Sequence, residues 1–304
     1  MFTSLNARAL GLPLDAAETI AQAARAGFGG VDLMVRDLVE AGDDPAGLRG
    51  RMDDLGLRGG AWPLPVAWRG DEPAFMADLA RLPGLAEAAA TLGLARTCTW
   101  VMPDRDPAVG PETLFDLHVR RLSAIARTLA DHGTRLGLEV IGVASFRRPG
   151  FGAFVARLGD LGPLLDAIAS EAPTVGVVAD AFHLFAADEP LDAPLAWGAD
   201  RVVWAHVADL PAGDRVDRLL MRDERRGLPG ENGAFGAAGM LDALMARGYE
   251  GPVTAEPMPG WAQRHHLSAT EAVDRVAASL RGCWPPALSG SGPLGARSRP
   301  GGPG

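Results

Sequence analysis

Between Thr174 and His183 the chain reads TVGVVADAFH. A run of small and β-branched apolar residues ends in a carboxylate, and an imidazole follows three residues on. Apolar residues at odd and even positions alike describe a strand covered on both faces, as in a parallel sheet packed under helices. Three further apolar runs end the same way: RLGLEVI carries Glu139, RVVWAHV carries His206 and PVTAEP carries Glu256. Alternation along a strand puts Gly137 with Glu139, Val178 with Asp180, Trp204 with His206 and Thr254 with Glu256 on common faces. The C-terminal ends of parallel strands are where an α/β barrel keeps its chemistry.

The remaining chain supplies the partners such strands need. Strand-like stretches at 2–6, 29–35, 57–62 and 96–102 precede the four. Helical periodicity falls between them, at about 13–26, 45–55, 73–92, 112–132, 162–171, 191–199 and 235–247. A last helix opens on the capping box Ser268-Ala-Thr-Glu271. Eight strands alternating with about eight helices predict one (β/α)8 TIM barrel domain over residues 1–284. No Gly-x-Gly-x-x-Gly follows the first strand, so the dinucleotide fingerprint of an open doubly wound sheet is missing. The longest connections, 142–161 and 208–233, leave from strand C-termini, as functional barrel loops do. The tail 285–304, PPALSGSGPLGARSRPGGPG, has almost nothing to bury and is expected to be disordered.

Composition closes several chemistries. The chain contains no lysine; every basic side chain is arginine. A Schiff-base aldolase, a lysine-anchored pyridoxal enzyme and a phosphate loop with its lysine are thereby excluded. A net charge of −9 argues against a nucleic-acid partner, which calls for a basic stripe. No apolar run reaches the length of a membrane helix and no secretory leader is recognisable, so a soluble cytoplasmic protein is expected. Cys98 and Cys283 form no disulfide or zinc framework.

Glu139, Asp180, His206 and Glu256 therefore read as one metal site. Three carboxylates and an imidazole suit a divalent cation that accepts oxygen ligands, with manganese the leading expectation and magnesium, cobalt or zinc the alternatives. Without a cation, three carboxylates sharing a buried site would raise one another's pKa. A single acid at a strand end is more often a helix cap or an arginine partner; the weight lies in four consecutive strands ending in a ligand type. Trp62, Trp100 and Trp204 are candidates for an apolar wall of the substrate pocket, with core packing the alternative for each. Asp209 could orient His206, and Arg147 and Arg148 could clamp an anionic group.

The segments LEVIG, ADAFH, WAHVAD, RRGLPGENGAF and TAEP, in that order, resemble the sugar phosphate isomerase/epimerase superfamily of xylose isomerase-like barrels. That group includes hydroxypyruvate isomerases, ketose 3-epimerases and inosose-processing enzymes. The likeness is clearest over about 135–260. It implies that Glu139, Asp180, His206 and Glu256 bind the metal and that His183 contacts the substrate. Glu139 and Glu256 would also take opposite proton-transfer roles on a sugar, keto-sugar or related α-hydroxy carbonyl compound, through an enediolate. An arginine soon after the strand-seven histidine contacts substrate in the epimerases; Arg215 is the nearest here, off the family's usual spacing. The family's LPGEG loop is LPGEN in this chain. Relatives are often dimers or tetramers.

The same site also serves lyases, of the inosose dehydratase or carbon-glycoside cleaving type. An endonuclease IV-like phosphodiesterase shares the barrel but needs further histidines from strands three and four, where this chain has Ala61-Trp62 and Trp100-Val101. A non-catalytic partner subunit would be expected to have lost a ligand, and all four are present.

Overall fold

The computed structural model describes residues 1–285. Most of the tail expected to be disordered, 286–304, lies outside the described residues.

The strands in chain order are β1 Phe2–Leu5, β2 Gly30–Val31, β3 Arg58–Gly59, β4 Trp62–Pro63, β5 Arg96–Val101, β6 Asp104–Arg105, β7 Arg135–Val140, β8 Gly152–Ala153, β9 Gly176–Asp180, β10 Val202–Val207 and β11 Pro252–Ala255. Nine of them form one parallel sheet in the order β3-β2-β1-β11-β10-β9-β7-β5-β4. Its two ends, β3 and β4, are halves of a single stretch, 58–63, so the sheet closes on itself as an eight-stranded barrel. The interruption has a physical cause. At Gly60 and Ala61 the ladder passes through a side chain: Gly60 N–H donates to the Val31 carbonyl, and Ala61 N–H donates to the Asp32 carboxylate at 2.8 Å.

Asp32 ties this seam together from inside the barrel. It also accepts from Ser4 Oγ at 2.6 Å and from Thr254 Oγ1 at 2.7 Å, joining strands one, two, three and eight. Burial raises its carboxyl to about 6 against the pull of those donors. A side chain at Gly60 has no room beside it: a Cβ there would lie 2.1 Å from Asp32 Oδ1 and 2.3 Å from Ser4 Oγ. Gly60→Ala is expected to destabilise the fold by about 1–3 kcal/mol through overpacking. A denaturant midpoint equal to that of the parent would show that Asp32 can swing aside.

Helices pack around the barrel: α1 Ala16–Ala26, α2 Val35–Ala41, α3 Pro45–Asp54, α4 Glu72–Leu92, α5 Pro111–Ala130, α6 Leu158–Ala169, α7 Ala181–Ala186, α8 Ala237–Ala246, α9 Trp261–Arg264 and α10 Ala269–Cys283. The capping box at Ser268 and Glu271 starts α10, and a second one, Asp15 with Glu18, starts α1. On α5 the inward stripe is Leu122, Ile125, Ala126 and Leu129. β9 and β10 are buried at every position, which is why they read as unbroken apolar runs.

The structure departs from the expected elements in several places, helices α2 and α9 being unexpected. Strand six stops at Asp180, and the following AFHLFA is a helix rather than the end of a strand. Asp180 is its N-cap, accepting from Phe182 N at 2.7 Å and His183 N at 3.1 Å. The stretch 191–199 forms two 3-10 turns, Ala193–Trp197 and Ala199–Arg201, not an α-helix. A short antiparallel ribbon, β6 with β8, joins the loops after strands four and five. Arg148 reinforces it through a bidentate pair with Asp104 and so is no free clamp for an anion.

Candidate metal centre and active site

Four adjacent strands, β7, β9, β10 and β11, bring the polar residues at their ends together. In the parallel register His206 lies beside Asp180 on one side and Thr254 on the other, so Glu256 stands two residues beyond the level of His206 and Glu139 two residues short of Asp180. One ligand atom each from Glu139, Asp180, His206 and Glu256 lies within 4.8 Å of all the others. His206 Nδ1 is the hub: it is 3.2 Å from Glu139 Oε1, 3.3 Å from Glu256 Oε2 and 3.8 Å from Asp180 Oδ2. The ring stands edge-on to Trp204, centroids 4.5 Å apart. The Trp204 Nε1–H is itself held by Thr254 Oγ1, in the layer below.

The donor set fits a dication. Oxygen and nitrogen ligands sit about 2.0–2.6 Å from such ions, so ligands on opposite sides are about 4–5 Å apart. The observed spread is that of one coordination shell. Charge points the same way. Four carboxylates, Glu139, Asp180, Asp223 and Glu256, meet one guanidinium, Arg226, and one imidazole, His206. With that imidazole protonated, two negative charges are still uncompensated. Burial pushes Glu139 up to about 7 despite the pull of His206. Burial also raises Glu256, against His206 and Arg226. Asp180 differs: burial works against its charge, but Arg226, His183 and His206 outweigh it and hold the carboxyl well below the usual range.

The arginine in the site is Arg226, not Arg215. Arg215 is exposed on the loop after β10 and makes no contact with the cluster. Arg226 is buried, with a side chain only 1% exposed, and its Nη1 donates to Asp180 Oδ2 at 2.8 Å and Glu256 Oε2 at 3.0 Å. Asp223 anchors the other edge, accepting from Nε and Nη2 at 3.0 and 2.7 Å. A backbone bridge between Asp209 and Gly227 folds the long loop back, so residue 226 returns to the strand-seven end it left. Gly227 permits that approach, since a Cβ there would lie 2.7 Å from the Leu210 carbonyl oxygen. Arg226 stands in the quoted segment RRGLPGENGAF, immediately before its glycine. That was the available signal; nearness in sequence to His206 pointed to the wrong arginine.

His183 joins this network, its Nε2 2.9 Å from Arg226 Nη2. Burial lowers it to about 4, so the ring is neutral near pH 7 and Nε2 is the acceptor. Its proton then sits on Nδ1, which is buried with no protein partner. Trp62 lies elsewhere. It is fully buried in the main core and does not line the cavity at the barrel mouth. Trp100 and Trp204 do line it. Asp209 does not touch His206: it caps its own loop, accepting from Leu210, Gly233 and Ala234 N–H groups.

The cavity holds about 480 Å³ and has Glu139, His206 and Glu256 on one wall. The cluster is the one group of metal-ligating type among the described residues.

The family model for the Xylose isomerase-like TIM barrel matches residues 20–281. The chain belongs to that family. Among solved structures it is similar to a xylose isomerase domain protein from Alicyclobacillus acidocaldarius, 26% identical, with a TM-score of 0.78 over 92% of this chain and 97% of that one. The fold is shared with the IolI protein with a bound zinc atom, 17% identical, TM-score 0.74, covering 93% and 98% of the two chains. It is shared too with D-psicose 3-epimerase from Clostridium cellulolyticum, crystallised with D-tagatose, 14% identical, TM-score 0.67, covering 93% and 98%. No curated protein matches the chain. Among the described residues no helix is long and apolar enough to cross a membrane.

Proposed function

We propose that this xylose isomerase-like barrel is a divalent-metal-dependent isomerase or epimerase of a sugar, keto-sugar or similar small α-hydroxy carbonyl compound. The observation that carries the reading is the pairing of two glutamates, from strands five and eight, across a shared Asp180–His206 floor. Isomerising such a compound means taking a proton from the carbon beside a carbonyl and returning one elsewhere, which needs a base, an acid and a means of holding the enediolate charge. In this reading Glu139 and Glu256 are that base and acid. A bound dication, manganese in our proposal, would be held by Glu139, Asp180, His206 and Glu256 and would supply Lewis acidity at the carbonyl oxygen. Asp180 keeps its charge through Arg226 and serves as a fixed ligand, not as a proton carrier. His183 offers Nδ1–H as a donor to a substrate oxygen. The zinc bound in the IolI structure and the epimerase among the similar structures support a metal-dependent reading.

The test is a panel of ketoses, inososes and hydroxypyruvate in D2O with Mn2+. Deuterium is expected at carbon in at least one compound, and EDTA should stop it. A dehydratase would show loss of water together with exchange. Absence of metal-dependent exchange across the panel would overturn the proposal.

A further inference from the structure

The cavity that holds the acidic cluster is also lined by arginines, with Asp37 among them. Arg8, Arg36 and Arg69 line it, in a chain whose net charge is −9. Two of the three are matched by acids, Arg8 by Asp37 at 3.3 Å and Arg36 by Asp78 at 3.2 Å. Arg69 has no carboxylate partner among the described residues. Its Nη1 donates to the Trp100 carbonyl at 2.8 Å and, more weakly, to Thr99 Oγ1 at 3.3 Å. Nε and Nη2 have no acceptor among the described residues.

The guanidinium is nevertheless held in place. It lies 4.1 Å from the Trp100 ring centroid and 4.8 Å from that of Trp68. Trp68 is in turn fixed, its Nε1–H bonded to the same Thr99 hydroxyl at 2.8 Å. Stacking of this kind orients an arginine's fork without using its outer donors. Trp100 ties the arginine to the reacting end. It is the register neighbour of Glu139 on the adjacent strand, sharing its face, and the residue is 44% exposed. One indole therefore separates Glu139 from an unpaired, oriented guanidinium in the same cavity. Partial burial weakens that cation, lowering Arg69 to about 10, with no acid nearby to offset the loss of water.

We propose that Arg69, backed by Trp100, is an anion subsite that binds a terminal carboxylate or phosphate of the substrate while the α-hydroxy carbonyl end lies at Glu139 and Glu256. This rests on the isomerase reading and narrows it to anionic substrates. A planar fork with two free donors suits either oxyanion in bidentate fashion; the carboxylate and the phosphate are separated by experiment.

The test uses the metal-loaded full chain and two matched pairs: hydroxypyruvate against dihydroxyacetone, and ribulose 5-phosphate against ribulose. In the parent protein the charged member of one pair is expected to be favoured in kcat/KM by roughly 10- to 100-fold, the range of a hydrogen-bonded charge. Whichever pair shows it identifies the oxyanion. Arg69→Met should erase the preference by raising KM for the charged member far more than for the neutral one, in a chain that still melts cooperatively. Arg69→Lys should restore part of it. Equal kcat/KM within both pairs, or a preference that survives Arg69→Met, overturns the subsite. Failure of the isomerase reading has a different signature, no exchange for any of the four compounds. The subsite is then read from tryptophan fluorescence with inorganic phosphate and with acetate. A change in the parent that Arg69→Met abolishes supports it, and no change in the parent overturns it.

Discussion

Glu139→Gln and Glu256→Gln are each expected to lower turnover by roughly 100- to 10,000-fold, the contribution of a positioned acid or base. Glutamine keeps the shape and one oxygen donor but can neither take nor return a proton. The effect should fall on kcat, because the substrate's contacts elsewhere in the cavity survive. The fold should not suffer. Burial holds Glu139 near 7, well above its ordinary value of 4.5, so its ionised form is disfavoured in the folded chain. The sign follows from linkage: an acid whose pKa is raised by folding weakens the fold as pH climbs from 4.5 to 7. In EDTA, Glu139→Gln should therefore match the parent's denaturant midpoint at pH 4 and equal or exceed it at pH 8. Full turnover in both variants would remove the two glutamates from the mechanism. A collapse of the midpoint at pH 8 would instead make Glu139 a structural anchor.

The parts of this site that could be read from sequence are those that strand geometry fixes. A strand buried on both faces has little reason to carry a carboxylate, so Glu139, Asp180 and Glu256 stood out against their apolar runs, as did the imidazole of His206. Period-two alternation then put them on one face near the strand ends. The same logic could not decide Trp62. Alternation says which residues share a face, not whether a given depth in the barrel is core or cavity, and Trp62 proved to be core. Nor could it find Arg226, which reaches the cluster through a loop closed by the Asp209–Gly227 bridge, a contact with no period. Asp32 was missed for a related reason: its partners Ser4, Ala61 and Thr254 come from three other strands. The end of strand six was misplaced because AFH is equally apolar as strand or helix. The deciding feature was the Asp180 side chain, which caps the helix and belongs to the acidic cluster at once.

That double role makes Arg226 the most exposed point in the energetics of the site. Its guanidinium is the hydrogen-bonded cation shared by Asp180 and Glu256. It also lies 4.6 Å from the Phe182 ring centroid, on the helix that Asp180 caps. Removing one partner of a buried pair leaves the other as an unmatched charge, which costs about 3–5 kcal/mol. Arg226→Met keeps much of the apolar stem and removes the charge. In EDTA it should lower the melting temperature by on the order of 10 °C, given about 2–4 °C per kcal/mol for domains of 150–250 residues. A dication should then recover much of the loss. An ion present at 100 times its Kd contributes about 2.7 kcal/mol, and without the guanidinium nearby it meets less repulsion. The variant should therefore bind Mn2+ more tightly than the parent while turning over more slowly, because its carboxylates lose the cation that orients them. Titrating Mn2+ into both proteins and following the melting temperature checks all three terms together. Equal melting temperatures in EDTA would mean that Asp180 is neutralised by something other than Arg226. A metal affinity unchanged by the substitution would separate the arginine from the ion site altogether.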